Sequence, residues 1–476
     1  MLRKLASNTL VGLAGNIAQK ALAFVTTLVL AHGLGQDGFG VYSFVGAYIF
    51  FFSFLVDLGM ERVVTRELSQ GRYRLGHLLG NAILLKLGLC AVVVPAAMIV
   101  ASLLTVSLEV RQCILLAALG LPLSLDLLFR SYFQSQYEVK LIYLVTLPSS
   151  VLFLLLVSLC VHWSLSVRAV FCAALFNAVL TLVLLLSIAV PRTRLDLRPD
   201  PALLKMLLRD GAEVGLFVLL FMLAWRIDQI LLFQLRGGVE VGRYAVGVRL
   251  SEALSLIPET LMLTVFPVLA SSHNSAPERF IQTYRLSFKY LSAIILPIAL
   301  LLTLTRYELV VAVFGEQYRD SALPLAILGW GMFFAYTGAV YLNLFIIEHL
   351  QRVMVLVSAV AVAVNIGANL LLIPSYGATG TAVAMVIGNV VGFVMFALLP
   401  ETAHFMAVCA SEAARPLIGV AIAWMSVAAL SLSGIAAGMV ALAVYVGVML
   451  VSRGLNWSDI DLVRRLFAAE PTASGG

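Results

Sequence analysis

With 62% hydrophobic and 12% charged residues over 476 positions, the chain carries about half the charge of an average soluble domain. Its mean hydropathy of +1.02 leaves too little polar surface to cover a soluble core, so lipid must cover much of the exterior. The net charge of +6 does not point to nucleic acid, because the basic residues sit in short connections and no basic stripe with interleaved aromatics occurs.

A helix needs about 20 apolar residues to cross a bilayer. Breaks at charged or Gly/Pro-rich stretches predict spans at 9–31, 40–64, 78–105, 112–133, 141–161, 167–190, 212–235, 244–270, 286–305, 321–347, 353–373, 377–399, 413–432 and 435–452. The first reads as a signal-anchor helix, since it is too long for a cleaved signal segment. The turn Pro374-Ser375-Tyr376-Gly377 separates spans eleven and twelve. The expected fold is all-α and integral to the membrane, with about fourteen transmembrane helices. These form two six-helix lobes related by a pseudo-two-fold along the membrane normal, plus a C-terminal helix pair. The expected boundaries are an N-lobe at 1–190, a connection at 191–211, a C-lobe at 212–399, the last pair at 400–452 and a tail at 453–476.

Basic residues test this partition. Twenty of the 31 fall on the side shared with the N-terminus, six on the other side and five inside spans. That asymmetry places both termini in the cytoplasm. The five cysteines (Cys90, Cys113, Cys160, Cys172 and Cys409) fall in or beside apolar runs without metal-ligand spacing and read as small buried hydrophobes.

A repeat is also visible. Gly35-Gln-Asp-Gly-Phe-Gly40-Val-Tyr42 aligns with Gly237-Gly-Val-Glu-Val-Gly242-Arg-Tyr244 at a constant offset. Both octets lie between the first two helices of their half, which implies a parallel repeat. The same offset pairs Asp57 with Glu259 and Ser53 with Ser255.

Ionisable groups inside a membrane are costly and mark function by default. Lys20 stands in the middle of span one, Arg226 and Asp228 in span seven, and Arg249, Glu252 and Glu259 broadly on one face of span eight. With Asp57, these residues are expected to line a central cavity between spans one, two, seven and eight. Asp126 with Arg130 and Arg249 with Glu252 have the spacing of structural ion pairs. Lys86 and Lys289 lie toward span ends and are expected to snorkel. Asn343, Asn365, Asn369 and Asn389 read as interhelical glue. Pro95, Pro122, Pro148, Pro258, Pro297 and Pro324 are expected to kink their spans. No Walker lysine loop, HExxH or nucleophile elbow occurs, so neither ATP drive nor hydrolysis has a sequence basis.

Several runs resemble a known family. They are Leu30-Ala-His-Gly-Leu-Gly35 through Gly40-Val-Tyr-Ser-Phe44, Asp57-Leu-Gly59-Met, Arg66-Glu67, Arg226-Ile-Asp228-Gln-Ile-Leu, Gly242-Arg-Tyr-Ala-Val246 and Ile373-Pro-Ser-Tyr-Gly377-Ala-Thr-Gly380. Together, from Asn8 to about Val451, they resemble Wzx-type polysaccharide or O-antigen flippases of the multidrug/oligosaccharidyl-lipid/polysaccharide exporter superfamily. The resemblance implies a multi-pass transporter of the bacterial inner membrane, not an enzyme and without a cofactor. It would move undecaprenyl-diphosphate-linked oligosaccharide between leaflets by alternating access, for O-antigen or exopolysaccharide synthesis. It also implies a basic cavity for the diphosphate, which Lys20, Arg226 and Arg249 match by position. Asp57, Asp228, Glu252 and Glu259 are then the candidates for coupling to a proton or sodium ion, and polysaccharide polymerase or export proteins are the expected partners. A peptidoglycan-precursor flippase or a multidrug/cation antiporter on the same fold is the alternative. The lysine of the first helix favours an anionic substrate.

Overall fold

The computed structural model describes residues 2–273, 275–347, 350–400 and 402–454. The described chain is helical: α1 Leu2–Asp57, α2 Met60–Gln70, α3 Leu75–Leu103, α4 Leu108–Ala118, α5 Asp126–Ser135, α6 Val139–His162, α7 Val167–Thr193 and α8 Pro201–Arg236, then α9 Gly238–Leu254, α10 Leu256–Ser272, α11 Pro277–Leu304, α12 Arg306–Phe314, α13 Ala322–Ile347, α14 Gln351–Leu398, α15 Ala403–Ala429 and α16 Gly434–Val451. It divides into two compact units, 1–245 and 246–476.

Two of these helices are too long to be single passes. Helix α1 has 56 residues, which at 1.5 Å per residue far exceeds a ~30 Å hydrocarbon layer. It reverses at Gly35, whose φ of 68° a side chain would resist. In α14 the reversal is at Gly377, φ 52°, at the end of the Pro-Ser-Tyr-Gly turn. There Gly380 faces the Leu372 carbonyl while Gly388 and Gly392 face Asn365 and Ala361, so the two arms lie antiparallel. Eleven described helical stretches are long and apolar enough to cross a membrane. With both hairpins counted as two passes and α8 included, fourteen passes result.

Side-chain register gives the directions in the first unit. Gly12, Gly15 and Gly33 lie against Val139, Tyr143 and Val161, so the arm 2–34 runs parallel to α6. The Tyr48 hydroxyl donates to the Ala97 carbonyl, and Asp57 meets Lys86, so the arm 36–57 runs antiparallel to α3. Phe44 stacks on Phe233 and Arg226 sits over Phe50, so α8 is antiparallel to that arm too. Arg192 pairs with Glu138, and Arg168 bonds Gln112, which completes an alternating set of seven passes. One end of this unit, at 58–74, 136–138 and 194–200, carries Arg62, Arg72, Arg74, Arg194 and Arg198; the other end has Arg111, Arg168 and Arg236 near its turns.

Several boundaries differ from expectation for identifiable reasons. The second pass ends at Asp57, not 64, because Leu58 and Gly59 both adopt positive φ and start the separate helix α2. Helix α2 buries Met60, Val63, Val64 and Leu68 and exposes Arg62 and Arg66, an amphipathic pattern rather than a spanning one. The fourth pass breaks at Gly120-Leu121-Pro122 into α4, a tight 3-10 turn and α5. The eighth breaks at Ser255, where Pro258 has no N–H to offer the Leu254 carbonyl.

The connection 191–211, expected to be a polar link, is mostly ordered helix and clamp. Helix α7 runs on to Thr193, and α8 begins eleven residues early at Pro201. Between them Asp200 caps α8, accepting from the amides of Ala202 (2.9 Å) and Leu203 (3.3 Å). Its own amide donates to Asn81 Oδ1 at 2.8 Å, and its carboxylate lies 3.2 Å from His77 Nε2. Asn81 also donates to the Arg198 carbonyl, and the Asp196 amide to the Gly76 carbonyl. The start of α3 thus holds the linker through backbone groups that would otherwise lack partners.

Candidate functional site

The repeat is real in the backbone. Gly35 has φ 68°, ψ −178°, and Gly237 has φ 83°, ψ −175°, so equivalent glycines make the same turn. The octets that follow pack on each other. A Cβ on Gly40 would stand 1.8 Å from the Gly238 carbonyl oxygen, and one on Gly242 would stand 2.1 Å from the Gln36 oxygen. Because Gln36 and Gly238 are themselves equivalent positions, the two contacts are mirror statements of one local two-fold.

Within the first unit, the predicted residues have the following places. Lys20 is half-buried in the first arm of α1. Arg226 is half-buried on α8, with its guanidinium 5.2 Å from the centre of the Phe50 ring. Asp228, two residues on and so on nearly the opposite face of the same helix, is buried and accepts from the Tyr244 hydroxyl at 3.0 Å. Asp57 lies at the end of its pass and accepts from Lys86 Nζ at 3.1 Å.

That last pair corrects the expectation for Lys86. Instead of snorkelling, its side chain is 0% exposed, and its charge is met inside the unit by Asp57. The pair belongs to a larger group. Glu61, on the first turn of α2, lies within electrostatic reach of Asp57, Arg130, Lys86 and Asp126. Asp126 and Arg130 form the expected i,i+4 bridge at 2.8 Å, and the buried Arg130 Nε has no hydrogen-bond partner among the described residues. Five charges from α1, α2, α3 and α5 therefore gather at one end of the unit. Sequence spacing pointed to one of these contacts, Asp126 with Arg130, because Lys86 and Asp57 are brought together only by the antiparallel packing of their helices.

In the second unit, Arg249 bridges Glu252 at 2.7 Å as its spacing predicts. Glu259 accepts from the Ser255 hydroxyl at 2.9 Å. The Tyr336 hydroxyl donates to the Ser251 carbonyl, which brings a phenol beside Glu252 and Glu259. The offset that equates Asp57 with Glu259 is not matched by equal surroundings. Ser53 donates to the Phe50 carbonyl rather than to Asp57, whose partner is a lysine.

Two further expectations change. Lys289 is buried, not snorkelling, with its Nζ 5.8 Å from the Tyr290 ring centre. Of the asparagines read as interhelical glue, Asn343 bonds its own helix at Ala339, and Asn369 bonds Asn365 one turn back. Asn389 reaches the Gly331 carbonyl of a neighbouring helix at 3.5 Å. Asn81, which the sequence reading passed over, is the asparagine that joins α3 to the linker. Among the described residues no group of three His, Cys, Asp or Glu could hold a metal ion.

Residues 5–273 match the family described as polysaccharide biosynthesis protein, which is more than half of the chain. The chain belongs to that family. No curated protein sequence matches it. Among solved structures, it is similar to the lipid II flippase MurJ in an inward closed conformation, with TM-score 0.72 and 11% identity over 93% of this chain and 98% of that one. An inward-facing multidrug resistance transporter of the MATE family, in the MOP superfamily, aligns with TM-score 0.64 and 16% identity over 83% and 96%. A MOP superfamily transporter from Pyrococcus furiosus, described as having a binding pocket of reversed polarity, aligns with TM-score 0.58 and 16% identity over 83% and 94%. At these identities the likeness establishes the fold, that of the MurJ and MATE transporters. The chain is a multi-pass membrane protein of a flippase and transporter fold.

Proposed function

We propose that this protein flips undecaprenyl-diphosphate-linked oligosaccharide from the cytoplasmic to the periplasmic leaflet of a bacterial inner membrane. Membership of a polysaccharide biosynthesis family on a flippase fold supports it. The observation that carries it is the placement of Lys20 and Arg226 inside apolar passes, where ionisable side chains are costly and mark function by default. In such surroundings a guanidinium grips a diphosphate by paired, charge-assisted hydrogen bonds. Phe50 orients the Arg226 head, and Asp228 is held by Tyr244, two residues along the same helix. Arg249 contributes the third cation of the proposed set.

Asp57, Asp228, Glu252 and Glu259 are the proposed groups for ion coupling, by a proton or a sodium ion. For Asp57 the exchange would run against Lys86, so that the cation entering releases the lysine. The higher concentration of basic residues at the 58–74 and 194–200 end supports an orientation with that end in the cytoplasm.

The test is complementation of a strain lacking this gene. Lys20→Ala or Arg226→Ala is expected to abolish surface polysaccharide and to leave lipid-linked glycan in the cytoplasmic leaflet, at unchanged protein level. Full complementation by either variant would remove that residue from the proposed site. The glycan-lipid that accumulates on deletion separates this reading from a peptidoglycan-precursor flippase, for which the MurJ-like fold is the supporting observation.

A further inference from the structure

The turn end of the first unit opposite the basic-rich end holds a recess of about 520 Å³, within the ~300–1,000 Å³ of small-molecule sites. It is built where three turns meet: the octet after Gly35, the segment before α4 and the end of α8. None of the residues placed above in the proposed diphosphate or ion sites lines it.

Its polar groups are Asp37, Thr105, Ser107, Gln234 and Arg236, set around the Phe233 ring and a valine wall. Gln234 is the informative one. The Thr105 hydroxyl, which can donate or accept, bonds one end of the amide at 3.1 Å. The other end of the amide is buried with no hydrogen-bond partner among the described residues. A buried polar group without a partner costs about 1–3 kcal/mol, a cost that a ligand hydroxyl, able to give or accept, would cancel. Ser107 is committed to capping α4, where it accepts from the Val110 amide. Asp37 is seated by a close approach, since a Cβ at Gly238 would come within 2.2 Å of its Oδ1.

The donor set is of mixed sign. A carboxylate, an amide, a guanidinium and hydroxyls suit a ligand whose groups both give and accept hydrogen bonds, as sugar hydroxyls do. The carboxylate disfavours a diphosphate, while Phe233 and the valines offer an apolar floor to the C–H face of a sugar ring.

We infer that this recess is a saccharide subsite, which holds one or two sugar residues of the glycan at the exit end of the protein. The assignment to an exit end rests on the flippase reading; the saccharide chemistry of the site does not.

The test uses the full-length protein in nanodiscs and saturation-transfer NMR with a panel of methyl glycosides of common hexoses and N-acetylhexosamines. At least one glycoside is expected to bind, and Gln234→Leu is expected to weaken it about three- to tenfold, the loss of one hydrogen bond. Inorganic pyrophosphate should not displace it. If Gln234→Leu does not fold, Thr105→Val removes the bond that holds the amide in place and should weaken binding in the same direction. Absence of glycoside binding to the wild type, equal binding by the variant, or displacement by pyrophosphate would each overturn the subsite. Glycoside binding without accumulation of lipid-linked glycan in the deletion strain would keep the subsite and remove the flippase reading. Accumulation without glycoside binding would do the reverse.

Discussion

Lys86 shows how a buried charge is decided by what faces it. Its side chain has no exposed surface, and Asp57 beside it is 19% exposed, so of the two only the aspartate reaches the surface of the unit. Removing one member of such a pair leaves an uncompensated charge and costs about 3–5 kcal/mol, whereas removing both is often close to neutral. Lys86→Met and Asp57→Asn should each lower the melting temperature of the purified protein. The double variant should recover most of the loss; additive losses in this cycle would show that the two side chains do not interact. The pair was hidden in the sequence because 29 residues separate its members and only the packing of α1 on α3 closes that gap. Asp126 and Arg130, one helical turn apart, were legible from spacing alone.

At the scale of the element, glycines decide where helices turn and cross. Both octets begin with a glycine in the same positive-φ conformation and then cross at backbone distance. Gly40→Ala would drive a methyl into the Gly238 carbonyl, against backbone that cannot rotate away. Overpacking of this kind costs about 1–3 kcal/mol. The loss should appear as a lower thermal unfolding temperature, whereas Gly46→Ala, facing open space, should leave it unchanged. The clamp at the start of α8 makes a separate prediction. His77 and the capped amides of Leu203 and Ala202 hold the Asp200 carboxyl below its ordinary value of 3.8. A depressed carboxylate contributes stability that is present above its unfolded value and lost as pH falls through the folded one. The contribution of Asp200 should therefore persist from neutral pH down to about pH 4 and disappear below it. Unfolding followed against pH for wild type and Asp200→Asn should converge only at that acid end; a constant difference down to pH 3 would contradict the assignment.

At the scale of the whole molecule, alternation of passes in the first unit puts Thr105 and Leu197 at opposite ends, both exposed. With the basic-rich end in the cytoplasm, a cysteine at 105 in a cysteine-free background should react with an impermeant maleimide added to spheroplasts. A cysteine at 197 should react only after permeabilisation. The reverse pattern would invert the orientation. The same layout explains why the proposed diphosphate residues and the saccharide recess lie at different depths. Arg226 sits more than two turns along α8 from Arg236, which closes the recess.

Hydropathy and composition alone determined that the chain is a membrane-embedded helical protein with about fourteen passes, because any 20-residue apolar run must satisfy its backbone within itself. Glycine spacing determined the repeat and its two equivalent turns, since local backbone conformation is encoded locally. Tertiary structure decided the rest. It ended the second pass at Asp57, turned 191–211 into helix and clamp through His77 and Asn81, and met Lys86 with Asp57. It also left the Gln234 amide facing a recess. Each of these depends on which helix lies beside which and in what direction, a property of packing that no periodicity along one chain contains.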